Sequence, residues 1–391
     1  MAVWAGGPTP HGVPVPGLPA TAGPPARRTK EMAVSHPDRW DLIYKRDDLT
    51  VSELRDASTP DLGPGEVRLA VEKFGLTANN ATYARFGESD IPFFDAFPGP
   101  EGYGRVPVWG HVRVEESRHP EIAVGERFFG YVPMSTHHVV APQVTPRGFA
   151  DGTPQRHFLH PWYWHFERAA EPDALDDRRT LIHPVYPAAY NLADMLQRQA
   201  EAGARTLVLT SASSKVAIGL AEEAAARALG LTTVAFTSER NAAFVGGLGL
   251  YDTVASYEDL ASVSIEGPAV FVDLTGEATW RLAVAERFAD KLVNTTLIGF
   301  THPGAQVPPP PGLQGPAAEV FFTPAVEWAV AEAEGPENYY TRYDASERRF
   351  LESTTSWLTI EQAQGPEALA EVFGDLLAGK QPPDLGYVLR P

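Results

Sequence analysis

The stretch from Thr206 to Phe236 constrains the fold more than any other part of the chain. An apolar run, Thr206-Leu207-Val208-Leu209, leads into the turn Thr210-Ser211-Ala212-Ser213-Ser214-Lys215. A helix-forming segment then runs to Gly230, and a second run rich in β-branched residues spans Leu231 to Phe236. Strand, turn, helix and strand in about 30 residues make a βαβ unit, whose strands are parallel neighbours in one sheet. Helical and strand patterns keep alternating from about Leu181 to Phe300, through Val270-Phe271-Val272-Asp273 and Leu292 to Phe300. Such alternation calls for a parallel sheet with helices on both faces.

A chain of 391 residues is too long for one core and implies about two domains. From about Trp40 to Val140 short strands and tight turns dominate. Leu62 to Val71 alternates in polarity after a Pro-Gly turn, and Gly110 to Val114 and Arg127 to Val132 continue the pattern around a Gly125-Glu126 turn. This region reads as a β-rich domain. Ala141 to Asp177, with Trp162-Tyr163-Trp164-His165-Phe166, is long for a structureless loop and reads as a lid or an insertion. Val307 to Gly312, with its four prolines, marks a rigid surface loop. Beyond it the patterns predict a helix around Ala317 to Ala333, a strand at Ser356 to Glu361, a helix from Pro366 to Leu377 and a last strand near Tyr387 to Leu389. The last strand is a candidate to return to the first domain. Residues 1–25 hold seven prolines and five glycines and read as a disordered leader, not a secretory signal. The basic Arg27-Arg28-Thr29-Lys30 followed by Met32 leaves a translation start at Met32 open.

Composition removes whole classes of function. With 50 acidic and 32 basic side chains the formal charge is -18, which repels nucleic acid and anionic membrane surfaces. The chain has no cysteine, so thiolate nucleophiles, iron–sulfur clusters and cysteine-ligated zinc are excluded. No apolar run approaches the roughly 18 residues that span a bilayer. Nothing argues for export, and a cytoplasmic location is the expectation. There is no Gly-x-Ser-x-Gly elbow, phosphate-binding Gly-Lys-Ser/Thr loop or His-Glu-x-x-His helix.

Several pieces, in order, resemble the medium-chain dehydrogenase/reductase superfamily, in particular its zinc-free quinone and enone reductases. They are Leu62-Gly63-Pro64-Gly65-Glu66-Val67; Gly75 to Asn80 with Tyr83 and Gly87; Val124 to Gly130; the unit from Thr206; and Phe271 to Gly276. Together they cover most of residues 40–300. The serine–lysine turn and the aromatic insertion resemble those of a divergent branch. The resemblance implies an α/β protein with a GroES-like β domain, a doubly wound Rossmann domain with a parallel sheet, and a cofactor cleft between them. The expected boundaries are a leader over 1–35, the β domain with its aromatic insertion over 36–180, the Rossmann domain over 181–325 and a returning C-terminal segment over 326–391.

The glycines of a Rossmann turn let backbone N–H groups approach a pyrophosphate at a helix N-terminus. Ser211, Ser213 and Ser214 are small and add hydroxyl donors, Ser213 or Ser214 is a candidate helix cap, and Lys215 adds a positive charge near Glu222 and Glu223. The alternative is a capping serine beside a solvated lysine. At the end of the second strand, Ser238 and Arg240 resemble the pair that reads the extra phosphate in NADPH-dependent relatives, with Glu239 between them as a counter-signal; the alternative is that this is simply the polar start of the next helix. NADPH is therefore the expected cofactor. Asp273 is assigned to the cofactor side or to a helix cap.

For chemistry, Tyr83 in Asn79-Asn80-Ala81-Thr82-Tyr83 matches the cleft tyrosine of quinone-reductase relatives, and a neutral phenol can donate to a carbonyl. Its alternative is an ordinary interdomain aromatic. Asn79 and Asn80 are candidates to hold the nicotinamide end or to shape a turn. Tyr186 and Tyr190 are further candidates for the cleft, and the Trp162 to Phe166 cluster is a candidate cover for a flat substrate or a packing element. His137 and His138 are adjacent and point to opposite faces of a strand, so no metal role is assigned to them. The expected function is NADPH-dependent reduction of an enone, quinone or related conjugated carbonyl compound. The rivals are ketone or alcohol chemistry on the same scaffold and a catalytically silent NADPH-binding protein. A small-molecule substrate is the expected partner, and a homodimer follows only by analogy with the superfamily.

Overall fold

The computed structural model describes residues 38–57, 60–89, 91–299 and 311–391. The expected leader and most of the proline-rich loop lie outside these residues.

The Thr206 unit opens a six-stranded sheet in which every neighbouring pair is parallel. Across the sheet the strands run Thr253–Ser256, Thr232–Thr237, Thr206–Leu209, Ala269–Asp273, Leu292–Leu297 and Ala318–Val320. The order reverses beside Thr206–Leu209, which creates the crevice where open parallel sheets bind ligands. The two central strands, Thr206–Leu209 and Ala269–Asp273, are buried throughout because both faces of the sheet are covered there. Leu207, Leu209, Val270 and Val272 pack beneath the helices Tyr186–Glu201 and Lys215–Ala226. Val208, Val234 and Phe271 point the other way, onto Val284 and Phe288 of the helix Ala278–Phe288.

The second large sheet has nine strands and is mainly antiparallel, with Val67–Leu76, Pro107–Ser117 and Arg127–Pro133 at its centre. A three-stranded sheet, Asp48–Asp56, Trp40–Lys45 and Tyr103–Gly104, accompanies it. Chain from the far C-terminus completes the nine strands: Leu385–Arg390 pairs antiparallel with Val67–Leu76, and Thr359–Gln364 pairs parallel with Leu385–Arg390. Leu369 and Phe373 of the helix Gly365–Leu377 join the core of this sheet.

The aromatic stretch is regular structure. Pro142–Thr145 and Gly148–Asp151 form a hairpin, and His165–Arg168 joins it to Arg127–Pro133. Two short 3-10 helices, Pro154–Arg156 and Pro161–Trp164, lie between. The helix expected from Ala317 begins later, at Thr323, because Pro324 suits a first helical turn but lacks the N–H an interior position needs. Ala318–Val320 is instead the edge strand of the parallel sheet. An 18-residue helix, Pro336–Ser353, follows; no sequence pattern above had marked it.

Two features fix the helix Asp176–Ile182 onto the antiparallel sheet. A Cβ on Gly75 would lie 2.7 Å from the Thr180 carbonyl oxygen, so the strand Val67–Leu76 and the helix Asp176–Ile182 pack at a distance only glycine permits. Asp176, buried at the start of that helix, takes Lys73 Nζ at 2.6 Å and Arg127 Nη2 at 2.7 Å. Among the described residues no helix is long and apolar enough to cross a membrane.

Candidate functional site

A cleft of about 1000 Å³ opens beside the reversal point of the parallel sheet, with walls from the turns that follow its strands, from the helix Ala78–Arg85 and Trp162-Tyr163, and from the C-terminal segment. Its size is at the upper end for small-molecule sites and suits a dinucleotide with a second ligand.

The serine turn forms one wall. Ser211 has φ +51°, the left-handed conformation that favours glycine, so this turn keeps a glycine's backbone with a serine side chain. Its N–H is already engaged, donating to Tyr257 Oη at 2.8 Å. Ser214 caps the helix Lys215–Ala226 by accepting from Ala217 N at 3.2 Å, and Ser213 Oγ accepts from Asn241 Nδ2 at 3.1 Å. Each hydroxyl that accepts in this way keeps its own proton to donate. Ser211, Ser213 and Ser214 all line the cleft. Because Ser211 is held in a conformation costly for any residue with a Cβ, Ser211→Gly is expected to raise stability by about 1 kcal/mol, read from urea unfolding. A loss of stability would mean that the hydroxyl supports the turn more than the backbone strains it.

Lys215 lines the same wall, half-buried, with Nζ 3.5 Å from the Leu385 carbonyl. Burial lowers its ammonium to about 8, against the opposing pull of Asp384. Ser238 and Arg240 also line the cleft, whereas Glu239 does not. Ser238 precedes the helix Glu239–Gly247, and its Oγ is buried without a hydrogen-bond partner. Arg240 is exposed, with Nη2 3.2 Å from the Gly379 carbonyl. An orphaned hydroxyl, two serine O–H groups, a partly desolvated ammonium and a guanidinium around one space fit a phosphate-bearing ligand.

The opposite wall is aromatic. The helix Ala78–Arg85 places Asn79 and Tyr83 four residues apart on one face, and both line the cleft. Tyr83 Oη accepts from Asn79 Nδ2 at 2.9 Å and from Trp109 Nε1 at 3.1 Å, and its hydroxyl also hydrogen-bonds with that of Tyr163. Burial pushes the phenol up to about 12, partly offset by those hydrogen bonds, so it stays protonated at neutral pH. Phe93, Trp162 and Tyr163 continue this wall.

Asn80, Asp273, Tyr186 and Tyr190, all sequence candidates, take no place in the cleft lining. Asn80 is buried and spends its side chain on the fold, accepting from Thr77 N at 2.8 Å and donating to the Pro107 carbonyl at 3.2 Å. Asp273 is fully buried, with Oδ2 2.7 Å from Arg281 Nε and Oδ1 accepting from Thr210 Oγ1 at 2.7 Å. Tyr186 and Tyr190 point instead into the aromatic contacts with Tyr343 and Phe350. His137 and His138 lie on one strand, His138 buried and His137 partly exposed. Among the described residues no three His, Asp or Glu side chains gather as metal ligands would. Trp162 and Tyr163 of the aromatic cluster line the cleft, whereas Tyr257 and Asn241 carry no local motif and reach it only through tertiary packing.

A β domain joined to a doubly wound parallel sheet, with the cleft at its switch point, is the fold of the medium-chain dehydrogenase/reductase superfamily. Solved structures share it at low identity. A quinone oxidoreductase from Pseudomonas syringae pv. Tomato DC3000 is 18% identical over 90% of this chain and 100% of its own, with TM-score 0.57. CurA from Vibrio vulnificus, crystallised in complex with NADPH, is 16% identical over 87% of this chain and 94% of its own, with TM-score 0.55. A thermostable alcohol dehydrogenase from Pyrobaculum aerophilum is 15% identical over 90% and 99%, with TM-score 0.54. No curated protein matches the sequence. Residues 74–382 match the family model described as "Protein of unknown function (DUF2855)", and the chain belongs to that family.

Proposed function

We propose that the protein is an NADPH-dependent oxidoreductase that reduces an enone, quinone or related conjugated carbonyl compound. The observation that carries this reading is one cleft with a phosphate-compatible wall, Ser213 to Lys215 with Ser238 and Arg240, facing an aromatic wall that holds a protonated phenol, Tyr83. NADPH supplies a hydride when bound. The serine hydroxyls and Lys215 hold its phosphates, and Ser238 with Arg240 favours the form carrying the 2′-phosphate. Crystallised relatives that carry NADPH or act on quinones support the same reading.

The chain's part in the reaction is to orient and to stabilise charge. Tyr83 keeps its proton on Oη and donates it as a hydrogen bond to the substrate carbonyl oxygen, where negative charge develops. Asn79 and Trp109 fix the phenol by donating to that oxygen. Phe93 and Tyr163 keep water from the reacting face. The reading requires no metal.

The test is a titration of purified protein with NADPH and NADH, followed by turnover with enones and quinones. Saturable binding of NADPH with weak NADH binding is expected, and NADPH oxidation should depend on the carbonyl compound. Tyr83→Phe is expected to lower kcat by about 10²-fold with cofactor affinity unchanged. Tight NADPH binding with no turnover across the panel would favour the silent binding protein, and no binding of either nucleotide would end the redox reading.

A further inference from the structure

A buried acid stands just behind the aromatic wall. Glu327, on the helix Thr323–Glu334, is 4% exposed, and its carboxylate accepts from Trp162 Nε1 at 2.9 Å and from Tyr340 Oη at 3.2 Å. Burial raises Glu327 to about 7; Glu167 adds to the rise, while the two hydrogen bonds and His183 oppose it. His183 is itself committed, 2.7 Å from Glu347. A glutamate so placed carries a desolvation cost that the packing of an indole does not require.

Its partner faces the cleft. Trp162 lines the cavity and lies edge-on to Trp109, with ring centroids 4.9 Å apart, and to Tyr163 at 5.2 Å. Trp109 in turn donates to Tyr83 Oη. Held by its N–H on one side and by two rings on the other, the indole has one orientation, and a continuous set of contacts runs from Glu327 to the phenol. Either form of the Glu327 carboxyl accepts from an indole N–H through an oxygen, and the ionised form does so more strongly because the hydrogen bond is charge-assisted.

We propose that Glu327 is a positioning residue, which fixes the Trp162 indole from outside the cavity as one wall of a subsite for a planar, uncharged conjugated carbonyl compound. The substrate class rests on the reductase reading; the role of Glu327 rests on the contacts above.

The experiment uses the full chain and 1,4-naphthoquinone as probe, with binding read by quenching of tryptophan fluorescence and NADPH titrated in parallel. The chain has no cysteine, so the quinone has no thiol to alkylate. Glu327→Leu is expected to weaken naphthoquinone binding about tenfold and to raise KM more than it lowers kcat, with NADPH affinity unchanged. Glu327→Gln, which keeps an acceptor, should recover most of the binding. Should Glu327→Leu fail to fold, coupling decides with the smaller truncation: Glu327→Ala, which removes the acceptor, is expected to weaken binding in the wild type and to add no loss in a Trp162→Phe background, since contacting residues that act as one are not additive. Unchanged binding in Glu327→Leu, equal losses of naphthoquinone and NADPH, full additivity, or a wild-type protein that does not bind naphthoquinone would each overturn the proposal. A wild type that binds naphthoquinone but never oxidises NADPH with it would remove the reductase reading and leave the Glu327 assignment to be judged by binding.

Discussion

Asp273→Ala is expected to destabilise the protein by about 3–5 kcal/mol, the usual result of leaving one partner of a buried ion pair uncompensated. Asp273 and Arg281 are both fully buried and 2.7 Å apart. The same carboxylate also accepts from Thr210 Oγ1 at 2.7 Å and from Thr275 N at 3.0 Å. It therefore ties the end of the strand Thr206–Leu209, the end of Ala269–Asp273 and the helix Ala278–Phe288 at one point, directly behind the serine turn. Thermal unfolding should fall by roughly 10 °C, at the few degrees per kcal/mol typical of domains this size. The informative companion is Asp273→Leu combined with Arg281→Met, which removes both charges and should recover much of the stability. NADPH affinity in that double variant separates two roles: retained affinity means that Asp273 acts by holding the sheet ends, and a large loss in a stable protein would return it to the cofactor side.

This residue also shows what a sequence can and cannot reveal. Phe271-Val272-Asp273 reads as an apolar strand ending in a carboxylate, and the strand is there. The direction of the carboxylate is set by Arg281, eight residues on, whose burial no local pattern announces. The parallel sheet was legible because strands covered on both faces must be apolar throughout, and because helices must alternate with them. Asn80 was ambiguous for a related reason: the type of side chain that can hold a ligand also satisfies a helix N-terminus, and here Thr77 N and the Pro107 carbonyl take it. The helix Pro336–Ser353 escaped notice because its buried face mixes Tyr339 and Tyr343, which pack on Tyr190, with Ser346 and Glu347 before the apolar Phe350 and Leu351, which dilutes the apolar period. Ser211 answers the oddity of a turn without glycines. The backbone still adopts the glycine conformation, and the side chain adds a hydroxyl at the cleft wall.

Lys215 gives the second large effect, and its signature is in the pH dependence. In the free protein burial holds its ammonium down at about 8. A bound phosphate favours the charged form, so the lysine in the complex has a higher pKa than in the free protein. Between those two values the complex carries more protons than the free protein, and binding must take one up. NADPH affinity is therefore expected to be constant below about pH 8 and to fall as pH rises through 8, by up to about tenfold per unit until the complex also titrates. The cofactor's own phosphates are fully ionised across that window, so the slope belongs to the protein. Lys215→Met should lower NADPH affinity at pH 7 by about 10- to 100-fold, the worth of a charge-assisted hydrogen bond, and should abolish the slope. Arg240→Ala is the control: a guanidinium does not titrate here, so affinity should drop, more for NADPH than for NADH, while the slope persists. Isothermal titration from pH 7 to 9.5 reads both quantities, and in buffers of different ionisation enthalpy it counts the proton directly. A slope that survives Lys215→Met would place the titrating group elsewhere, whereas a flat wild-type profile would mean that Lys215 stays outside the phosphate site.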